Sequence, residues 1–371
     1  DGRIFTDQSA WSHIVVIIDT ANSTTADRVI FYKDGVRLAQ TVSTNMVQNS
    51  NTYINSTTTN YIGNDAAGVD SNMYLAECHF LDGYAYDASY FGETNATTGQ
   101  WNPKQYTGSY GSQGWYLKFD DNSDTTAATL GKDSSGNANN WTPANLATTD
   151  AVKDSPTNNF STWNALAENF MADGSVSFSE GNLKVVESSG GYGTFCKNTF
   201  EMKTGKWYWE ILAKDINTYS SIGLTNKDGR SYNEGVGMYY FASGHKNSQT
   251  TVVGYSTYGN TYSNGDIIGI AFDADNESVT FYKNNSSQGA IGSVLTQANG
   301  GYFASAGDDA TANATTFIAN FGQDSSFIGE KTTQGNTDGN GQGDFYYAPP
   351  SGYLALCSAN LPDPTILLPN K

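Results

Sequence analysis

The chain has 371 residues, of which 37 are acidic and 19 basic, and its net charge is −18. A chain this acidic repels nucleic-acid phosphates and anionic bilayers, so we expect neither nucleic acid nor membrane insertion among its interactions. No apolar run approaches the ~18 residues of a membrane-spanning helix. The three cysteines and three histidines are too few and too widely spaced to indicate a disulfide framework or a zinc site.

The first part of the chain is predicted to consist of short β-strands bounded by turn residues. Asp34-Gly35 separates two β-prone runs, which is typical of a tight hairpin because such turns need positive φ. The run HIVVIID at residues 13–19 reads as a strand buried on both faces. The predicted strands of this region are residues 13–19, 28–33, 36–39, 61–63, 73–81 and 115–119.

Turn residues dominate the next stretch, and we place an interdomain connection at residues 128–163. We expect this connection to be ordered, because Trp141, Phe160 and Trp163 would each favour burial. A second β-rich region follows it. The predicted strands there are residues 175–178, 183–186, 206–213, 221–224, 237–241, 252–255, 266–272, 278–282, 301–304 and 316–321.

Residues 206–213 (KWYWEILA) alternate two sets of side chains. Trp207, Trp209 and Ile211 form one set, which we expect to face inward, and the opposite face is mixed. Many short strands joined by turn clusters predict an all-β chain built from β-sandwiches. Residues 326–371 are rich in Gly and Asn and then in Pro, which is typical of an extended exit segment.

Two segments resemble known families. Residues 11–93 resemble the concanavalin A-like, laminin-G-type jelly roll, on the motifs WSHI, FYKDGV and YLAECHFLDG. Residues 170–323 resemble a SPRY domain, on GKWYWEI, SIGLTN, GDIIGIAFDADNESVTFYKN and NFGQ in that order. The resemblances imply two jelly-roll-like β-sandwich modules, the first one incomplete. The implied organisation is a laminin-G-like module at 1–127, a connector at 128–163, a SPRY-like module at 164–325 and an exit segment at 326–371.

The connecting sequences resemble those of large virion proteins of tailed bacteriophages from aquatic environments. The carriers are YLKFDDNS, LGKDSSGNANNWTPANL and GDFYYAPPSGYLALCSANLPDPTI. This resemblance implies a structural and adhesive protein of a fibre or appendage on the virion surface, outside the cell. Its implied partners are other virion proteins, further copies of itself (a trimer is one candidate) and a host-surface glycan or receptor. We also expect the chain to be an internal piece of a longer, multimeric virion protein.

The residues argue against an enzyme, and no catalytic residue is assigned. Glu77 and Asp82 are five apart, so on a continuous strand they point to opposite faces and make a poor pair for glycoside hydrolysis. Asp273, Asp275 and Glu277 alternate, but they lie where a hairpin turn is predicted. No cofactor is expected. A structural calcium ion is compatible with the acidic chain, but the sequence specifies no ligand set and the metal question stays open.

Binding by loops on a rigid β-scaffold is the chemistry that remains. In SPRY domains the partner site is formed by loops at one end of the sandwich, and residues 242–251 and 256–265 match two of them. Both are rich in Tyr, Asn and Ser, which give flat contact area and adaptable hydrogen bonds and suit a sugar or a protein surface. The candidate ligand-binding residues are Tyr219, Tyr232, His245, Asn247, Tyr255, Tyr258, Asn260 and Tyr262.

Several alternatives stay open from the sequence. Tyr258 and Tyr262 could equally pack against their own loops. A capsid or tail decoration protein with a purely architectural role is the main rival to an adhesin. A polysaccharide depolymerase and a microbial surface adhesin unrelated to phage are weaker rivals. We further expect the SPRY-like module to be the independently stable unit, and the loops 242–251 and 256–265 to lie close together at one end of it.

Overall fold

Short antiparallel strands dominate the computed structural model of the chain. The structure describes residues 10–39, 46–56, 58–64, 68, 71, 73–167, 176–187, 194–227, 237–248, 255–292, 300–308 and 314–362. The contacts divide it into two units. Trp11–Ala151 and Ser155–Thr157 belong to the N-terminal unit, and Val152–Asp154 and Asn158–Leu361 belong to the C-terminal unit. The predicted all-β fold class is confirmed.

The N-terminal unit contains three small antiparallel sheets, ordered β1-β2-β3, β4-β7 and β5-β6. Asp34 and Gly35 both have positive φ between β2 and β3, as the predicted hairpin requires. The strands are β1 (Ile14–Ile18), β2 (Val29–Lys33), β3 (Val36–Arg37), β4 (Cys78–Phe80), β5 (Gly92–Thr94), β6 (Trp101–Pro103) and β7 (Trp115–Leu117).

The C-terminal unit contains a six-stranded and an eight-stranded sheet. The first is ordered β10-β19-β12-β13-β14-β15, and the second β18-β17-β16-β11-β20-β9-β8 with β21 parallel to β11. Their strands are β8 (Val176–Ser179), β9 (Lys184–Glu187), β10 (Thr194–Lys197), β11 (Lys206–Asp215), β12 (Ser220–Asn226), β13 (Gly237–Phe241), β14 (His245–Ser248), β15 (Ser256–Thr257), β16 (Ile267–Asp273), β17 (Ser278–Lys283), β18 (Ser286–Ile291), β19 (Tyr302–Asp308), β20 (Thr315–Asn320) and β21 (Leu354–Ala355).

The main core lies between these two sheets. Trp209 and Phe272 enter it from the eight-stranded sheet, and Ile222 and Tyr240 enter it from the six-stranded sheet. All four side chains are fully buried. Trp163, which the sequence placed in the connector, belongs to the same core. The alternation expected along β11 is therefore correct for the set that contains Trp207, Trp209 and Ile211.

The opposite face of the eight-stranded sheet is also buried, because residues after β20 fold back over it. Phe327 packs with Leu212 on β11, and Phe345 packs with Tyr208, which lies four residues earlier on the same face of β11. Residues 326–361, which the sequence suggested as part of an extended exit, thus lie in the same unit as the sandwich. We call residues 324–357 the covering segment.

Glu210 fixes the covering segment to β11. Its carboxylate is fully buried and accepts backbone N–H groups from Tyr346 at 2.8 Å and Tyr347 at 2.7 Å. It also accepts the Tyr208 hydroxyl at 3.2 Å and the Asn320 amide at 3.2 Å. Burial raises the pKa of Glu210 to about 7, although these hydrogen bonds act in the opposite direction.

Several local predictions need correction. Residues 13–19 are not buried on both faces, since Ile14 is 43 % and Val16 is 48 % exposed. The physical reason is that β1 is the edge of a sheet with only three strands. Residues 61–63 form bends instead of a strand, and only Cys78–Phe80 of the run 73–81 is a strand. Most of the predicted run 252–255 lies outside the described residues.

A candidate binding surface at one end of the C-terminal unit

The segments 243–247 and 255–261 meet beside the C-terminal end of β13. The strand pair β14-β15 joins them, with His245 opposite Thr257 and Lys246 opposite Ser256. The turn before β14 is made by Gly244, which has a φ of +83°. A Cβ atom there would lie 2.7 Å from the Gly259 carbonyl oxygen, so glycine is required for the close approach. We define residues 243–247 and 255–261 as the loop surface.

The loop surface carries a stacked His–Tyr pair. The rings of His245 and Tyr255 are 4.3 Å apart between centroids and 8° from parallel. The Ser243 hydroxyl links both rings, at 3.1 Å from His245 Nδ1 and 2.8 Å from the Tyr255 hydroxyl. Tyr255 keeps 54 % of its surface exposed while its edge rests on Phe241. The pair therefore presents a fixed aromatic face to solvent.

A second aromatic group, Tyr258, lies on the opposite face of β14. Lys246 Nζ sits 5.5 Å from the centroid of the Tyr258 ring, which is a cation–π geometry. The Tyr258 hydroxyl bonds the Gly289 carbonyl, and its ring packs edge-on against Tyr240. Burial raises the pKa of Tyr258 to about 12, so the phenol is neutral at physiological pH. Tyr258 thus positions Lys246 more than it offers a free hydroxyl.

Asn260 and Tyr262 lie on the same loop but have different roles. The side chain of Asn260 is exposed, and its backbone N–H is held by Gln288 Oε1 at 2.8 Å. Tyr262 is buried, with its hydroxyl donated to the carbonyls of Ser220 and Tyr240. Tyr262 therefore belongs to the core, which corrects its selection as a surface contact. The reason is that the loop turns inward where β16 is about to begin.

The remaining candidates are more scattered. Tyr219 is 54 % exposed in the turn before β12, at the same end as Gly244, because the Ser220 carbonyl accepts the Ala242 N–H. Asn247 is half-buried within β14, opposite Tyr239. Tyr232 lies outside the described residues, as do residues 249–251. The described parts of the loops 242–251 and 256–265 do lie side by side, as expected.

Sequence reasoning missed Lys246 and Ser243. Residues 245–248, which the sequence predicts as part of a loop, form β14. Strand geometry explains why Lys246 lies on the face opposite to His245 and reaches Tyr258. The sequence gives little signal for β14. The short polar run that follows the Ser-Gly turn contains none of the β-branched residues that usually mark a strand.

Other acidic candidates serve local structure. Asp273 pairs with Lys206 at 3.0 Å and accepts two bonds from Asn276, and Asp275 accepts the Gly205 N–H at 2.9 Å. Within the described part of the chain, no group of three or more His, Cys, Asp or Glu residues is placed to hold a metal ion. Among those same residues, no helix has the length and apolarity needed to cross a membrane.

The histidines of the N-terminal unit are packed in aromatic surroundings. His13 Nδ1 accepts the Trp101 indole N–H at 3.0 Å. His79 stacks on Tyr116 at 4.1 Å and bonds the Tyr110 hydroxyl at 2.9 Å. Burial lowers the pKa of His79 to about 4, so the ring is neutral at physiological pH. This packing agrees with a structural role for both rings.

Comparisons with known proteins place a family within the C-terminal unit. Residues 206–321 match the SPRY domain family. The SPRY domain of human HERC1 aligns with 39 % of this chain and 91 % of its own chain, at 13 % identity and a TM-score of 0.32. A stonustoxin structure aligns with 43 % of this chain and 27 % of its own, at 14 % identity and a TM-score of 0.32. No curated protein sequence matches the chain.

The family match spans β11 to β20, and so contains the central strand of one sheet and the whole loop surface. The laminin-G resemblance of residues 11–93 and the virion resemblance stay predictions. Residues 206–321 of this chain thus match the SPRY domain family, and the C-terminal unit that contains them is built from two β-sheets.

Proposed function

We propose that the chain is a non-enzymatic binding protein whose SPRY domain recognises a host-surface glycan or protein through the loop surface. The observation that carries the proposal is the solvent-exposed Tyr255, whose ring is held by stacking on His245 and by a hydrogen bond to Ser243. Rigid, exposed aromatic rings give contact area at a low cost in conformational entropy. On the opposite face of β14, the Lys246 ammonium group over Tyr258 offers a donor for carbonyl or hydroxyl oxygens.

We further propose that it acts at the virion surface of a tailed phage, in contact with other virion proteins and with copies of itself. This part rests on the resemblance of the connecting sequences and is supported by a chain of net charge −18 with only 15 % charged residues. Imaging of whole purified phage particles tests this proposed location. Density for both units on a fibre or capsid is expected, whereas a chain absent from purified particles contradicts it.

An architectural role is the second candidate, and one observation favours it. Val16 and Phe31 are paired across β1 and β2, and both are at least 40 % exposed. Ile14, two residues along β1, shares their face and is 43 % exposed. An apolar sheet face of this kind is suited to contact with a neighbouring protein.

Adsorption of particles to host cells separates the two roles. Soluble chain in excess should block adsorption if the protein is an adhesin and should have no effect if the protein is architectural. We expect Tyr255→Ala and Lys246→Ala each to weaken this block about tenfold, which is the loss of one aromatic or cation–π contact. Lys203→Ala is the matched control, because Lys203 is an exposed lysine far from the loop surface. Its neighbour Met202 pairs with Tyr302 at the start of β19, whereas Tyr219 and the loop surface lie near the end of β19.

A further inference from the structure

Three tyrosine rings of the N-terminal unit form a nearly parallel stack. Tyr86 is the middle ring, 5.4 Å and 17° from Tyr84 and 4.1 Å and 14° from Tyr90. The outer rings are not covered by the fold, since Tyr84 is 42 % and Tyr90 is 45 % exposed. Aromatic side chains normally contribute most when buried. A stack whose outer members stay in solvent is therefore available for a ligand with a flat apolar face.

A cleft of about 460 Å³ adjoins this stack. The volume falls within the range of small-molecule sites, ~300–1,000 Å³. Tyr106 is its buried floor, with its hydroxyl donated to the Ser109 carbonyl at 2.8 Å. The lining combines ring faces with hydroxyl, amide and ammonium groups, and consists of Tyr86, Ser89, Tyr90, Lys104, Gln105, Tyr106, Thr107 and Gly108.

Local hydrogen bonds hold the walls of the cleft in place. Asp87 caps the short turn that carries Tyr90, because its carboxylate accepts both the N–H of Ser89 at 2.9 Å and its hydroxyl at 2.6 Å. The Lys104 N–H bonds the Phe91 carbonyl at 2.8 Å, which ties the second wall to the first. These hydrogen bonds hold the walls of the cleft in the absence of a ligand, which lowers the entropic cost of binding.

The loop at Gly108 passes directly over the floor of the cleft. A Cβ atom at this position would lie 2.4 Å from the Tyr106 hydroxyl oxygen. Any other residue would therefore displace either the loop or the floor ring. The shape of the cleft depends on glycine at this position, which fits a site whose geometry is set by its backbone.

We propose that this cleft is a saccharide-binding site. A pyranose ring has an apolar C–H face, which matches the exposed ring of Tyr90, and a rim of hydroxyls, which matches Ser89, Gln105 and Thr107. Lys104 has no carboxylate within ion-pair distance among the described residues, so its ammonium group is available to a sugar hydroxyl or to the carboxylate of an acidic sugar.

Titration of the purified full chain with defined hexasaccharides tests this site. The probes are cellohexaose, maltohexaose, chitohexaose and the hexamers of galacturonate and mannuronate. We expect saturable binding of at least one probe, weakened about tenfold by Tyr90→Ala and retained by Tyr90→Phe, which keeps the ring. If Lys104→Gln binds the uronate hexamers more weakly than the native chain does, and binds the neutral hexamers equally well, the ligand is an acidic sugar. If Lys104→Gln and the native chain bind every probe with equal affinity, the ligand is a neutral sugar.

Tyr53→Ala is the matched control, since Tyr53 is 84 % exposed in the same unit and does not line the cleft. Unchanged far-ultraviolet circular dichroism of each variant shows that the unit stays folded. The proposal is overturned if no probe binds at about 1 mM, if Tyr90→Ala and Tyr53→Ala behave alike, or if a proline-rich peptide binds the cleft and no saccharide does. Tyr255→Ala should leave this binding intact, so failure here and failure of the loop surface are distinguishable.

Discussion

At the scale of single residues, Glu210 shows how one buried carboxylate can hold a whole segment. Four donors converge on its two oxygens, two of them backbone N–H groups from adjacent residues of the covering segment. Hydrogen bonds to a carboxylate are stronger than those to a neutral acceptor. The same burial that makes them strong also makes the charge costly, which is why the pKa of Glu210 rises to about 7.

This raised pKa predicts a pH-dependent attachment of the covering segment. The Glu210 carboxyl releases its proton near pH 4.5 when unfolded and near pH 7 when folded, so the folded state binds the extra proton between these values. The stability that this group contributes is therefore fully present below about pH 4.5 and is lost as the pH rises through 7. The size of the effect is on the order of 3 kcal/mol.

Hydrogen-exchange mass spectrometry on the full chain measures this effect in peptides that cover β11 and residues 344–348. We expect protection, corrected for the intrinsic pH dependence of exchange, to fall between pH 5 and 8 in the native protein. Glu210→Gln should remove this dependence of protection on pH. It should also lower protection at all pH values, because the amide N–H₂ would face the backbone N–H donors of the covering segment. Glu330→Gln is the control for a lost surface charge in the same segment. Parallel profiles for the native protein and Glu210→Gln would count against the assignment.

At the scale of elements, the covering segment completes the sandwich. Tyr208 and Leu212 point away from the main core, and they pack against Phe345 and Phe327 of the covering segment. Without the segment, the outer face of β11 would expose two large apolar side chains and a carboxyl adapted to burial. An exposed apolar sheet face favours aggregation.

Two fragments test the role of the segment. The fragment 152–361 should be soluble and should unfold cooperatively, whereas the fragment 152–325 should aggregate or unfold at a clearly lower temperature. Each buried Phe that loses its site costs about 3–5 kcal/mol in substitution studies, so the difference should be large. Thermal unfolding followed by tryptophan fluorescence makes the comparison. Equal midpoints for the two fragments would show that the segment is dispensable.

At the scale of the whole molecule, the two units differ in how much apolar surface they bury. In the C-terminal unit the main core contains side chains from both sheets together with Trp163, and both Trp163 and Trp209 are fully buried. Among the described residues of the N-terminal unit, the buried hydrophobic side chains are few and are Ile17, Ala88, Tyr106, Leu117 and Leu130. Burial of apolar surface is the main favourable contribution to folding, so the C-terminal unit should be the more stable.

Calorimetry of the full chain should therefore show two transitions, since units with separate cores need not unfold together. The transition at higher temperature should coincide with that of the isolated fragment 152–361. The transition at lower temperature should disappear in that fragment. A single transition for the full chain together with an unfolded fragment 152–361 would refute the independent stability of the C-terminal unit.

Strands whose turn chemistry or alternation is local could be predicted from consecutive residues. The Asp34-Gly35 hairpin and the inward set on β11 follow from positive φ and from the two-residue period, and both are present in the structure. The SPRY motifs also overlap the segment 206–321 that matches the family. These features need only near neighbours in the chain, so their signal is written in consecutive residues.

The accessibility of polar and aromatic side chains, in contrast, could not be predicted and became clear from the fold. Tyr255 and Tyr262 lie in similar Tyr- and Asn-rich sequence, yet the first is exposed and the second bonds two carbonyls in the core. The two backbone donors to Glu210, Tyr346 and Tyr347, lie more than a hundred residues away, in a segment whose composition suggests a linker. The tyrosine cleft likewise depends on the pairing of β5 with β6. Burial depends on which distant segments pack on a face, and no local pattern carries that information.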